Sequence, residues 1–324
     1  MKILITGVKG FIATNLAEYY LRNSSADIIG VSTEPKTLVE ARVINDLKTK
    51  SSGRFSFRHC NLVYATQLKT IFDSEMPDLI INAAASTNVP RSFSYPLEYY
   101  KDNLEGVVNI LEWMRLSSPS TKMVHFSTEA VLSMKDHEIG KHERLTPINP
   151  FSASKAAAEQ YIYAYNKCFD EKVQIVRPPV NYGPYQAHTK VIARTILSCL
   201  NKEKFRIFNE AKPAPRRWWV HVQDTCRAVD MIVKKGGEHE IYDIVTPDKM
   251  TVSEAVNRIL ELTGNQNLFD GYMEARLNDI ESYSLDGSAL NALGWKPAHS
   301  FDDGIRNTIE WYSKNAGWFC ETVI

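Results

Sequence analysis

An apolar strand that runs directly into a glycine turn constrains this chain more than any other feature. Residues 2–13 read Lys2-Ile3-Leu4-Ile5-Thr6-Gly7-Val8-Lys9-Gly10-Phe11-Ile12-Ala13. A chain that must bend sharply at a strand end, and let a phosphate approach its backbone, needs positions without a side chain. Gly7 and Gly10 supply them, and Ala13 is small enough for the following helix to pack on the strand. That helix would begin at Phe11 and Ile12 and offer its free N–H groups and positive dipole end to an anion. Strand, turn and helix in this order predict a dinucleotide-binding unit.

The rest of the first half repeats the theme. Short apolar runs recur at Ile28-Ile29-Gly30-Val31, Phe55-Ser56-Phe57, Leu79-Ile80-Ile81, Met123-Val124-His125-Phe126 and Val173-Gln174-Ile175-Val176, with longer helical segments between them. Leu97, Tyr100, Leu104, Val107, Leu111 and Met114 fall at helical spacing and predict one helix with a single buried stripe. Strand–helix alternation predicts an α/β fold with a parallel sheet covered on both faces. It is of the Rossmann type, doubly wound, and spans residues 1–177. Beyond 177 the pattern loosens, with helices expected near 224–234, 251–263 and 301–315. Residues 178–324 read as a smaller α/β lobe for substrate, with some later segments returning to the first unit.

Composition narrows the partners. The chain of 324 residues carries 38 basic and 38 acidic residues, a balance that argues against nucleic acid or an anionic membrane as the main partner. The five cysteines have neither CxxC nor Cys/His spacing, so free thiols are expected and no metal site. No apolar run is long enough to span a bilayer. With no stretch resembling a leader before the first strand, the expected location is the cytoplasm.

The motifs in order resemble those of the extended short-chain dehydrogenases/reductases, in the group of nucleotide-sugar epimerases and 4,6-dehydratases. The resemblance rests on the glycine turn, Asn82-Ala83-Ala84-Ala85, Asn103-Leu104-Glu105-Gly106, Ser127-Thr128, Asn149-Pro150-Phe151-Ser152-Ala153-Ser154-Lys155, Arg177-Pro178 leading to Asn181-Tyr182-Gly183-Pro184, the stretch from Arg217 to Asp224, and Leu293-Gly294-Trp295-Lys296-Pro297. It covers almost the whole chain. It implies an enzyme that oxidises a sugar C4 hydroxyl transiently with NAD or NADP, on a nucleoside-diphosphate sugar, and a homodimer formed through the helices that contain residues 100–114 and 152–165.

Carried over position by position, the resemblance makes Thr128 the hydroxyl that bonds the sugar oxygen and Lys155 the lysine that holds the nicotinamide ribose. Gly7, Gly10, Phe11, Ile12, Ser32, Asn61, Leu62, Ala83 and Ala84 would line the cofactor. Ser32 is neutral where NAD-binding domains usually carry an acid, and Lys36 follows; this tilts the expectation toward NADP. By the same resemblance Arg217 and Arg276 would meet the diphosphate and ribose as arginine forks, Asn181 a phosphate oxygen and Lys190 the nucleotide, while Thr87 and Arg91 lie on the loop that would face the sugar.

Two positions depart from the family. The tyrosine that serves as base is Phe151, which has the ring and no oxygen, so it can neither give nor take a proton. Either the chain is a disabled variant or it uses another base, or none. After Thr128 the dehydratases carry Asp-Glu, whereas this chain has Glu129-Ala130. Glu129 can replace a carboxylate; Ala130 cannot, and a small residue there is typical of the 4-epimerases and 4-reductases. The leading expectation is therefore a 4-epimerase. A 4,6-dehydratase and a catalytically silent nucleotide sensor are the alternatives. His125, inside the fifth strand, reads as a packed, hydrogen-bonded histidine.

Overall fold

The computed structural model describes residues 1–132, 145–208, 214–274 and 285–318. Its centre is a seven-stranded, wholly parallel sheet. The first six strands are β1 (Lys2–Thr6), β2 (Asp27–Ser32), β3 (Phe55–His59), β4 (Leu79–Asn82), β5 (Lys122–Phe126) and β6 (Val173–Arg177). Every apolar run read from the sequence lies in one of them. In the smaller part of the chain are β7 (Val180–Tyr182), β8 (Phe205–Phe208) and β9 (Arg217–His221), after which β10 (Ile241–Asp243) returns to the main sheet beside β6. Last come β11 (Lys249–Met250) and β12 (Phe269–Met273). The main sheet has the order β10-β6-β5-β4-β1-β2-β3.

Helices cover both faces. They are α1 (Phe11–Asn23), α2 (Leu38–Lys50), α3 (Ala65–Glu75), α4 (Val89–Ser94), α5 (Pro96–Tyr100), α6 (Gly106–Ser117), α7 (Pro150–Phe169), α8 (Val191–Asn201), α9 (Val222–Lys235), α10 (Val252–Thr263), α11 (Ser288–Ala292) and α12 (Phe301–Asn315). Alternate strand residues face opposite layers, as the pleat requires. Ile3 and Ile5 pack with Leu16, Tyr20 and Val229 on one side. Leu4 packs with Ile80, Leu111 and Ile162 on the other. A third cluster, with Tyr182, Ile196, Trp219, Ile259 and Phe301, joins α8, α10 and α12 to β7 and β9. Among the described residues no helix is long and apolar enough to cross a membrane, no group of three or more candidate metal ligands occurs, and Cys60, Cys168, Cys199 and Cys226 are free thiols.

One expectation is corrected. The single-striped helix over residues 97–114 contains a π-helical turn, Lys101–Glu105, between α5 and α6. A π-turn inserts a residue into the helical register, so the stripe does not stay on one side. Val107, Leu111 and Met114 are buried, whereas Leu97 and Tyr100 face outward, 74% and 52% exposed. The turn also aims Asn103 inward. Its amide accepts from Ser86 N–H at 2.7 Å and donates to the Ser86 carbonyl and to Ser154 Oγ of α7.

Candidate functional site

The strand order reverses at β1, which has β2 on one side and β4 on the other. In open α/β sheets the crevice outside the carboxyl ends of the strands at such a point is where ligands bind. Gly7 sits there in the left-handed region, φ +68°, and donates to the Val31 carbonyl at 2.7 Å. A Cβ on Gly7 would lie 2.8 Å from Ala84 Cα, so no other residue fits. Gly10 caps α1, whose first turn carries no acidic residue, and Phe11 and Ile12 open the helix half-buried. The turn is a cradle of backbone amides closed behind by Ala83 and Ala84, and it fits a dinucleotide pyrophosphate.

Further along the sheet edge, Ser32 ends β2 nearly buried. Thr33, His59, Asn61, Tyr64 and Gln67 line a cleft of about 570 Å³. Asn61 is held in place: Gln67 accepts from its backbone N–H and its own side chain accepts from Val63 N–H. Leu62 is buried beneath Gly106, where a Cβ would come within 3.0 Å of Leu62 Cβ. The Glu34 carboxylate stands 3.6 Å from His59, so negative charge borders this cleft. Lys36 is exposed and Glu40 accepts from its backbone N–H.

The start of α7 forms the next wall. Asn149 and Ser152 make a reciprocal capping box that fixes the helix entry. One turn then separates Phe151 from Lys155. Phe151 is buried in a small apolar cluster with Tyr99, Ala130 and Val89, its ring edge-on to Tyr99 at 6.5 Å. Lys155 is also buried, with Nζ 3.4 Å from His125 Nε2. Burial brings the ammonium down to about 8 against the opposing pull of Glu159.

At the end of β5, Thr128 is half-buried and its Oγ1 accepts from Ala130 N–H at 3.2 Å, capping the short turn Glu129–Val131. Glu129 is buried, and its Oε2 has no hydrogen-bond partner among the described residues. Burial raises its carboxyl to about 8, with Arg217 and Lys249 pulling the other way. The corner therefore gathers a hydroxyl, a carboxyl that keeps its proton near neutral pH, and an amine that gives its proton up unusually easily. The ring at 151 has no oxygen.

The residues assigned to the sugar nucleotide are less closely gathered. Thr87 is exposed after β4. Arg91 on α4 is engaged by its own neighbours: it pairs with Glu98 at 3.0 Å and lies over the Tyr95 ring. The Asn181 amide is turned inward, donating to the Pro179 carbonyl and accepting from Thr225 Oγ1 at 2.6 Å. Lys190 is exposed and caps α8. Nearby, His188, Arg194, Ser198, Lys204 and Phe205 border a second cleft of about 480 Å³. Arg217, half-buried on β9, acts on Glu129. Arg276 lies outside the described residues.

The sequence did not show that three residues touching this corner form one row. Thr6, Asn82 and His125 stand side by side on β1, β4 and β5; His125 is the packed, hydrogen-bonded histidine expected, but its link to the other two was not foreseen. Nothing local distinguishes them, because their partners are 76 and 43 residues away. Tyr99, which packs against Phe151, was equally silent.

Comparison with known proteins gives these observations a context. The model of the NAD dependent epimerase/dehydratase family matches residues 3–244. A trifunctional UDP-glucose 4,6-dehydratase/UDP-4-keto-6-deoxy-D-glucose 3,5-epimerase/UDP-4-keto-L-rhamnose-reductase of Arabidopsis thaliana is 30% identical over 322 residues. The match covers 98% of this chain and 48% of that protein, so this chain spans about half of its length. The crystal structure of a dTDP-glucose 4,6-dehydratase from Streptomyces venezuelae, with NAD bound, superposes with a TM-score of 0.86 at 27% identity, covering 99% of each chain. A UDP-glucose 4-epimerase from Thermotoga maritima, solved with UDP-glucose, shares the fold with a TM-score of 0.86 at 24% identity, over 98% of this chain and 100% of that one.

Proposed function

Because this chain belongs to the NAD dependent epimerase/dehydratase family, we propose that it acts on a nucleoside-diphosphate sugar by transient oxidation at C4, and that its reaction is a 4-epimerisation. The observation that carries the choice is the apolar corner made by Ala130, Phe151 and Tyr99. A 4,6-dehydration needs a second proton-transfer group next to the first carboxylate, and Ala130 has none. The bound dinucleotide would accept and return a hydride. The chain's own part would be to seat it: Gly7, Gly10 and the start of α1 would hold the pyrophosphate, Ala83 and Ala84 would back it, and Lys155 would hold the nicotinamide ribose. Thr128 would hold the sugar oxygen. Glu129 would stand beside it as a neutral acid that donates a hydrogen bond and keeps negative charge out of the corner.

NAD rather than NADP is the dinucleotide proposed. The Glu34 carboxylate beside His59 disfavours a 2′-phosphate in the adenine-side cleft, and this outweighs the neutral Ser32. Residues 1–177 are proposed as the dinucleotide unit, completed by β10, and the remainder of 178–324 as the nucleotide-sugar lobe. The exposed Leu97, Tyr100 and Tyr161 are proposed as part of a homodimer face. Size-exclusion chromatography with light scattering checks that assignment, and a monomer at micromolar concentration removes it.

Glu129 favours one second reading. A carboxyl that retains its proton at neutral pH is the acid half of a dehydration. The deciding experiment compares this protein with Phe151→Tyr on UDP-, dTDP-, GDP-, ADP- and CDP-linked sugars, with products read by mass and NMR. Unchanged product mass supports epimerisation and loss of water supports dehydration. Dinucleotide binding with no turnover by either protein leaves a nucleotide sensor.

A further inference from the structure

Directly behind the three strand ends that face the cofactor runs a row of buried polar side chains. Thr6, Asn82 and His125 are register partners on β1, β4 and β5, and Lys155 of α7 closes the row. All four are at most 3% exposed. We infer that His125 is a positioning residue: with Asn82 and Thr6 it presents its Nε2–H to Lys155 and so favours the amine over the ammonium, which eases loss of the lysine's proton one helical turn from Phe151.

The inference follows from counting protons along the row. Thr6 Oγ1 accepts from Ala84 N–H at 3.1 Å and spends its only hydrogen on Asn82 Oδ1 at 2.6 Å. That fixes the amide, so Asn82 Nδ2 is the atom 3.0 Å from His125 Nδ1. An amide nitrogen only donates, so Nδ1 must be the bare nitrogen of the ring. His125 is wholly buried, and burial together with Lys155 drives its basicity far down, so the ring is neutral and its proton sits on Nε2. That N–H points at Lys155 Nζ. An ammonium there would set donor against donor, whereas an amine accepts the bond.

The opposite arrangement exists but is worse. For the ammonium to donate to Nε2, the ring proton must move to Nδ1 and the Asn82 amide must turn over. The Thr6 hydroxyl hydrogen then loses its acceptor in a fully buried place, a loss the protein interior does not offset with water. The other charges around Lys155 are few. Glu159, one turn further along α7, favours the ammonium but is itself held by Arg177 of β6, which also faces Asp243 of β10. Glu129, on the turn packed against α7, answers to Arg217 and Lys249. Desolvation and the polarity of the row thus act on Lys155 in the same direction.

This rests on the proposed function only in giving Lys155 a sugar proton to accept; the proton placement itself needs no substrate. It is read in the ligand-free protein labelled with ¹⁵N-histidine, by long-range proton–nitrogen correlation, which separates the two neutral tautomers from imidazolium. The His125 signal is the one missing from His125→Phe. Above the Lys155 titration near 8 the Nε2–H tautomer is expected. As the pH falls through it, the signal should cross to Nδ1–H without becoming imidazolium. Lys155→Met should keep Nε2–H throughout. Thr6→Val, which frees the amide to turn, should move the crossover up by about one pH unit. An Nδ1–H tautomer at high pH, ordinary titration to imidazolium, or an unmoved crossover in Thr6→Val would each overturn the inference. Absence of turnover with every sugar, beside the expected tautomers, would count against the function alone.

Discussion

The proposed cofactor side and the proposed sugar side of the crevice are built on opposite plans. At the ends of β1 and β4 every buried polar group is answered: Thr6 by Ala84 and Asn82, Asn82 by His125. Around the end of β5, Glu129 Oε2 and Ser127 Oγ are buried without hydrogen-bond partners among the described residues, next to the apolar surface of Phe151, Ala130 and Tyr99. Buried polar atoms without partners are costly and concentrate where function requires them. On the proposed assignment, the contrast means that the dinucleotide seat is finished by the protein itself, whereas the sugar corner leaves room for a group that arrives with its own hydroxyls.

The largest test of that contrast restores one oxygen to the apolar side. Phe151→Tyr should raise turnover by roughly 10²–10⁴-fold, the usual worth of a positioned general base, measured as initial rates on the sugar that turns over. An equal rate in both proteins would mean that Lys155 takes the sugar proton as well as a tyrosine would. A second test attacks the supports beneath α7. Glu159 grips Arg177 through two contacts, one at 2.9 Å from Nε, and both side chains are buried. Removing one partner of such a pair strands a charge, so Glu159→Ala should cost about 3–5 kcal/mol in urea unfolding. A loss well below 1 kcal/mol would show that Asp243 alone can satisfy the arginine.

Smaller effects sharpen the picture. Since burial raises the Glu129 carboxyl from its ordinary range to about 8, both folded and unfolded chains hold the proton at acid pH. Between pH about 4.5 and 8 the unfolded chain releases it first, so stability falls as pH rises across that window. Glu129→Gln should remove this slope, gaining about 1–3 kcal/mol at pH 8 and little near pH 4, as read from paired denaturation curves. A parallel pair of curves would place the carboxylate in a better-solvated setting than its burial implies. The smallest effect belongs to Arg91. Its pair with Glu98 is open to solvent, so Arg91→Ala should leave the melting temperature unchanged. If it weakens sugar-nucleotide binding as well, the arginine leaves Glu98 when ligand arrives.

What could be read from the sequence divides along the same line. The seat was legible because its constraint is local: Gly7 and Gly10 must lack side chains whatever surrounds them, and strand, turn and helix follow within a dozen residues. The spacing of Phe151 and Lys155 was legible for the same reason, being one turn of one helix. The row from Thr6 to His125 was not, since it exists only after three strands have lined up in register. Arg91 looked free to face the sugar because nothing in its own motif announces Glu98 seven residues on. The buried stripe over residues 97–114 failed at the π-turn, which sets Asn103 against Ser86 and Ser154, again partners distant in sequence.

The return of β10 to the edge of the main sheet has a consequence during synthesis. A ribosome that has released the chain as far as β6 has produced six of the seven parallel strands, yet the β6 edge stays open. Its permanent neighbour, Ile241–Asp243, has still to be translated, more than sixty residues later. Throughout that interval the nascent chain exposes a row of unpaired main-chain groups of the kind that other strands capture. Truncated products ending before residue 241 should therefore be the ones that chaperones hold, and a stop codon there should yield aggregate rather than a free-standing dinucleotide-binding half.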